Sequence, residues 1–198
     1  MGHDEQGMSR AGEVTQWLRR MEAGESEALE HLMPLLYDEL RSMARHQLRN
    51  ERAGHTLNPT ALVNEVYLRL ARQENLPATH RTQFLGVAGR TMRRVLIDYA
   101  RARKRLKRGG GQSPIPLEEA LPFLSDTEAD EILALDDALD RLAAVNERGS
   151  EVVQYRFFSG LTLEETAEIM GLSLKTVHRA WIAARAWLRK EVAHDLGW

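Results

Sequence analysis

The chain contains no cysteine in its 198 residues, which excludes disulfides, thiolate nucleophiles and every thiolate-ligated metal site. No apolar run approaches the roughly 20 residues that a membrane-spanning helix needs. Residues 1–20 lack the apolar stretch and small-residue cleavage site of a secretory signal, so a soluble cytoplasmic protein without a membrane partner is expected. The seven histidines (His3, His31, His46, His55, His80, His178 and His194) are scattered, with no pair at metal-ligand spacing on one helix face. Gly109 to Gly111 follow no strand and open no helix with a lysine-serine pair, so they are not a phosphate loop. Hydrolytic nucleophile motifs are missing too. The expectation is a non-enzyme with no cofactor and no metal.

What is present is apolar residue in quantity, at 43%, with 28% charged residues. That is enough to build folded cores, in one domain or two small ones. Net charge is only -2, but the charge is unevenly placed. From Arg90 to Arg108 nine cations stand against the single Asp98, a local +8. From Gly109 to Glu151 eleven acids meet only Arg141 and Arg148, a local -9. From Ser173 to Lys190 there are five lysines and arginines and no acid. Two basic blocks separated by an acidic one suit two contacts with a polyanion, although charge runs also serve simply as solvated faces.

Periodicity is helical almost throughout. Leu29, Leu32, Leu36, Leu40 and Met43 recur at spacings of three and four, with Ser26 as the expected cap. A shorter helix carrying Trp17, Leu18 and Met21 ends at Gly24, and Pro34 predicts a kink or a late start in the second. Asn58 and Pro59 open a third helix with Leu62, Val66 and Leu70 on one face, and Glu65 and Arg69 four apart on another. A fourth is expected from Gln83 or Phe84 into the basic run. Three glycines and three prolines between Gly109 and about Thr127 read as a linker, with Leu117, Leu121, Phe123 and Leu124 able to dock on a surface. Helices resume at Ile132, and Ser150 to Phe158 is read as helix in preference to a short strand because no partner strand is visible. The fold class is all-α: two small helical domains, 1–108 and 128–198, joined by an acidic flexible linker at 109–127.

The sharpest motif is TLEETAEIMGLSLKTVHRAWIAARAWLRK, residues 162–190. Thr162 and Glu165 form a capping box, Gly171 permits a left-handed turn, and Ser173 caps a second helix. Ala167 is small where the helices must approach, and Leu163, Ile169, Leu172, Val177 and Trp181 are the expected core between them. This is a helix-turn-helix, whose second helix enters the major groove of DNA. Lys175, Thr176, His178 and Arg179 are residue types that reach phosphates or base edges. A purely structural helical hairpin is the alternative.

The chain as a whole, over roughly residues 12–190, resembles the extracytoplasmic-function (ECF) group of bacterial RNA polymerase sigma factors. VVQYRFFSGLTLEETAEIMGLSLKTVHRAW resembles the group's domain that reads the -35 promoter element, NPTALVNEVYLRLAR its polymerase-binding helix, and FLGVAGRTMRRVLIDYARARKRLKRGG its -10-reading helix. The resemblance implies a factor that binds core polymerase and directs promoter-specific initiation. Asn64, Glu65 and Arg69 would face the clamp helices of the polymerase's largest subunit, although Glu65 and Arg69 also suit a local ion pair. Arg90, Arg93, Arg94 and Arg101 would lie on the -10 region, where Lys104 to Arg108 either continue the track or form a solvated helix end. Ser173, Lys175, Thr176, His178, Arg179 and Arg185 would contact the -35 element.

Some positions depart from the pattern. Primary sigma factors carry adjacent tryptophans where Arg90 and Thr91 stand here. Melting would then depend on a flipped base captured by the loop Gln73 to Thr82. Ala180 and Ala183 stand where many members have arginine. Trp181 and Trp187 are read as core. The acids Glu118, Glu119, Asp126, Glu128, Asp130 and Glu131 fit a linker that mimics nucleic acid inside the polymerase, or one that shields the basic helices when no polymerase is present. An anti-sigma factor is a further candidate partner, and the free chain is expected to be monomeric and to bind DNA poorly. A dimeric helix-turn-helix regulator and a protein-interaction adaptor are the rival readings.

Overall fold

The computed structural model describes residues 9–25, 27–48, 58–73, 76–107 and 125–197, with the side chains of Leu106 and Lys107 excepted. Those residues are all-α, with no strand among them. The elements are α1 (Arg10–Glu22), α2 (Ala28–Gln47), α3 (Pro59–Leu70), α4 (Arg81–Lys107), α5 (Asp126–Val145), α6 (Glu147–Val153), α7 (Leu163–Met170) and α8 (Leu174–Leu196). A π-helical turn, Gln154–Phe158, continues α6, so the segment read as helix in preference to strand is helix.

Local chemistry sets most of the ends. Ser9 accepts from the Gly12 N–H at the start of α1, and Gly24 follows its end at φ +84°. Asn58 caps α3 through the Thr60 N–H, with Pro59 at the first helical position where a missing N–H costs nothing. Ser26, the expected cap of α2, lies outside the described residues; Glu27 precedes that helix and makes no side-chain cap bond. Pro34 does not delay α2, which is already helical from Ala28. The fourth helix starts at Arg81, two residues before the expected Gln83, because Gln83 turns back to accept from the Thr79 N–H at 2.9 Å. Most of the linker, 109–124, lies outside the described residues. Its expected end at Thr127 is corrected, since Ser125 and Glu128 form a capping box and Asp126 and Thr127 are in α5. Asp126, Glu128, Asp130 and Glu131 are therefore acids of a helix and not of a linker.

The largest apolar cluster is built by α1 to α4, with Leu18, Leu32, Leu36, Leu40, Phe84 and Met92 fully buried. Burying side chains of this size contributes about 1.5–3 kcal/mol each. Two smaller clusters lie in the second half, one around Leu139, Leu142, Phe158 and Leu188, the other around Val152, Ala167 and Val177. The halves are packed together. Leu161 is buried in the first cluster, and Ile132, Tyr155 and Ile169 pack against it. Ile169, expected between α7 and α8, instead faces the α1–α4 cluster.

Candidate nucleic-acid and polymerase interface

The α7–α8 hairpin is defined by three local devices. Thr162 accepts from the Glu165 N–H at 3.1 Å while Glu165 accepts from the Thr162 N–H at 2.8 Å. Gly171 sits at φ +63°, ψ 33°, a left-handed conformation that costs any other L-residue about 1–2 kcal/mol. Ser173 then accepts from the Thr176 N–H at 3.2 Å and starts α8. Val177 and Ala167 are buried between the helices, with Leu163, Leu172 and Trp181 packed around them. This leaves Ser173, Lys175, His178 and Arg179 exposed at the beginning of α8 and Thr176 half-buried. Arg185 does not join that group. It lies ten residues beyond Lys175, about 15 Å along the axis, and lines a cleft of about 790 Å³ between α4, α5 and α8. Trp181 and Trp187 pack against the second cluster, in keeping with a core role.

On α3, buried Leu62, Val63, Val66 and Leu70 face inward and Asn64 stays exposed. Glu65 and Arg69 do not pair along the helix as their spacing suggests. Arg69 reaches Asp98 of α4 at 2.7 Å. Glu65 lies against the Tyr99 hydroxyl, whose pKa is pushed up to about 12 by burial first and by the Glu65 charge second. The open strip of α3 is thus Ala61, Asn64 and Leu68, the last an apolar side chain 47% exposed that charge and capping patterns do not single out.

Of the four arginines assigned to α4, Arg90, Arg94 and Arg101 are exposed and Arg93 is half-buried. Arg93 and Arg101 both reach Asp136 of α5, at 2.5 and 3.4 Å, and Arg93 also stands 3.6 Å from Asp140. Asp136 is buried, at 7% exposure. Beyond them Arg103 pairs with Asp126 at 3.1 Å and Lys104 pairs with Asp130. Thr91 is buried and bonds the Val87 carbonyl, so it offers nothing outward. In the Gln73 to Thr82 loop, Glu74 and Asn75 lie outside the described residues and Leu76 and Ala78 are buried.

At the other end of α4, Arg81 bridges Glu39 of α2 at 2.6 Å and Glu165 of α7 at 2.7 Å. Burial acts to lower the Arg81 pKa, but its hydrogen bonds to both carboxylates, together with their charge, outweigh it and raise it. Burial acts to raise that of Glu165, and the Thr162 N–H and Arg81 outweigh it and lower it. Spacing within α2, α4 or α7 gives no hint of this three-helix bridge.

No group of three or more metal-ligating side chains occurs among the described residues, and no helix there is long and apolar enough to cross a membrane. No curated protein and no solved structure matches the chain. A profile of the ECF sigma factor family matches residues 11–194, nearly its whole length. The chain belongs to the ECF sigma factor family, the RNA polymerase subunits that direct transcription initiation at promoter DNA.

Proposed function

We propose that this sigma factor recruits core RNA polymerase through α3 and reads its promoters at two places, the -10 element with α4 and the -35 element with the start of α8. The observation that carries the reading is the α7–α8 hairpin, with Lys175, His178 and Arg179 exposed on the first turns of α8, in a chain matched by the family profile. A helix start presenting donors and cations is what major-groove and phosphate contacts require. Arg90 and Arg94 supply exposed cations at one-turn spacing on α4, suited to following a phosphate backbone.

The division of labour follows the two halves: residues 1–108 for polymerase and -10 contacts, 109–127 as connection, 128–198 for the -35 contact, with the first turn of α5 now assigned to the last part. The chain acts without catalysis, cofactor or metal of its own, in the cytoplasm, and as a monomer when free. An anti-sigma factor is one further partner proposed for it. The test is run-off transcription with core polymerase on a promoter library, comparing the wild type with Lys175→Ala and Arg179→Ala. Loss of promoter-dependent transcripts with core binding intact supports the reading. Full activity of both variants removes α8 from promoter recognition.

A further inference from the structure

We propose that the cleft of about 790 Å³ bordered by α4, α5, the π-helical turn and α8 binds an acyl-chain carboxylate, a free fatty acid, with its chain along α8 and its head between Arg156 and Arg185. The volume falls in the range of small-molecule sites, roughly 300–1,000 Å³. Its lining on α8 runs from Trp181 to Leu196, a span of fifteen residues, or about 22 Å of helix. A cleft that long suits a slender ligand better than a compact one. Leu188, Val192 and Leu196 recur along it at every fourth residue and make an apolar stripe. Ile132 and Leu135 of α5 line the same cleft, as do Leu96 and Ile97 of α4. A chain of methylenes is what such a lining takes out of water.

The head group follows from the cations. Arg93, Arg156, Arg185 and Arg189 line the cleft against the acids Glu128, Glu131 and Asp136. Those acids are engaged: Asp136 holds Arg93 and Arg101, Glu128 accepts from the Ser125 N–H at 2.5 Å, and Glu131 is not free either. Arg156, Arg185 and Arg189 pair with no carboxylate among the described residues. Arg156 donates through Nη1 to the Leu161 carbonyl and lies 5.6 Å over the Trp181 ring. Its Nε is buried and meets no acceptor among the described residues, and the Arg93 Nε is in the same condition. A carboxylate oxygen satisfies a buried donor that the protein leaves unpaired, and does so as a charged acceptor. Arg185 follows Trp181 by one turn of α8, which puts a second guanidinium at the same end of the cleft. The wall that carries Arg156 is closely seated on its neighbours. A Cβ added at Gly89 of α4 would stand 2.4 Å from the Ser159 hydroxyl and 2.9 Å from the Phe158 carbonyl carbon and oxygen, and Gln47 of α2 donates to that carbonyl at 2.7 Å. Lys175, His178 and Arg179 lie outside the cleft, so the site is separate from the -35 contacts proposed above.

Isothermal titration of the full chain with decanoate, dodecanoate and tetradecanoate, each below its micelle concentration, tests the site. One molecule should bind per chain, and affinity should rise about fourfold per added methylene until the cleft is filled. Dodecanol and dodecyltrimethylammonium, with the same chain and no anion, should bind about tenfold more weakly or worse. Arg156→Gln and Arg185→Gln should each weaken dodecanoate by about tenfold, as loss of one charged hydrogen bond implies. Because Arg156 also holds the Leu161 carbonyl, Arg185→Gln decides the matter if Arg156→Gln does not fold. Ala193→Phe, which fills the cleft and leaves every charge in place, should abolish binding, with a circular dichroism melt to verify its fold. The thermal midpoint of the wild type should rise with dodecanoate concentration, as for any ligand held only by the folded state. Failure of dodecanoate to bind overturns the proposal, as does equal binding of dodecyltrimethylammonium or binding unchanged by either Arg185→Gln or Ala193→Phe. Binding that emerges only when Leu117, Leu121 and Phe123 are replaced by serine overturns it too, by giving the cleft to the chain's own linker.

Discussion

Arg69 of α3 bonds Asp98 of α4 across the helix interface at 2.7 Å, and not Glu65 one turn away on its own helix. The bond crosses between two helices that share a core, so Arg69 fixes how α3 sits on α4. With Glu65 held beside Tyr99, the exposed side chains of α3 are Ala61, Asn64 and Leu68.

Substitution of Leu68 by glutamate should therefore weaken binding to core polymerase by about tenfold or more, as loss of a desolvated apolar anchor does. The fold should be unaffected, because the side chain is already 47% exposed. Glu65→Lys should weaken binding and also lower the thermal midpoint, since it places a second cation beside Arg69. Competition between labelled wild type and each variant for core polymerase, with circular dichroism melts alongside, separates the two effects.

Lys175→Ala and Arg179→Ala should each reduce transcription from a strong promoter, by about fivefold to a hundredfold for a lost base or phosphate contact. Neither should change core binding. Arg185→Ala should have the smaller effect, since Arg185 lines the cleft against α4 and α5 and stands well away from the start of α8. Run-off assays on one template rank the three.

Gly171→Ala isolates a backbone cost. Nothing lies within 4 Å of a Cβ added there, yet φ is +63°. The variant should lose about 1–2 kcal/mol from conformation alone, read as a lower midpoint in urea. Gly89→Ala tests the opposite case, in which the helix tolerates alanine but the neighbouring turn does not. Its midpoint should fall while the helical signal stays unchanged.

Acid should loosen the join between α4 and α7. Glu165 has its folded-state pKa lowered from the ordinary 4.5, so the folded protein favours the carboxylate. The stabilisation it brings is complete above about pH 4.5 and disappears as pH falls through the lowered value. The gap in thermal midpoint between wild type and Glu165→Gln should be constant near neutrality and close below pH 4.5. A gap that widened on acidification would contradict the Arg81–Glu165 bridge.

The parts legible in the sequence are those governed by neighbours in the chain. Thr162 with Glu165, Gly171, Ser173, and Asn58 with Pro59 each act within four residues, so their residue types reveal the ends of α3, α7 and α8. Partners distant in the chain were not legible. Nothing in its own segment says that Arg69 prefers Asp98, that Arg81 joins Glu39 to Glu165, or that Ile169 faces the α1–α4 cluster. One overlooked signal is Asp136. It falls on the Ile132–Leu139 stripe of α5, where an apolar residue is expected, and an acid on a buried stripe calls for a cation from elsewhere. The acids after Gly111 read as linker because they follow a stretch with three prolines, Pro114, Pro116 and Pro122. Ser125 and Glu128, a capping box, mark where the helix in fact begins.

The central claim is that this chain works as a subunit of RNA polymerase. It is tested most directly by mixing the purified chain with bacterial core polymerase at moderate salt and measuring the mass of the resulting species by light scattering after gel filtration. The account predicts a one-to-one complex that Leu68→Glu disrupts and Arg179→Ala does not. A chain that ignores core polymerase and instead binds duplex DNA as a dimer would contradict it.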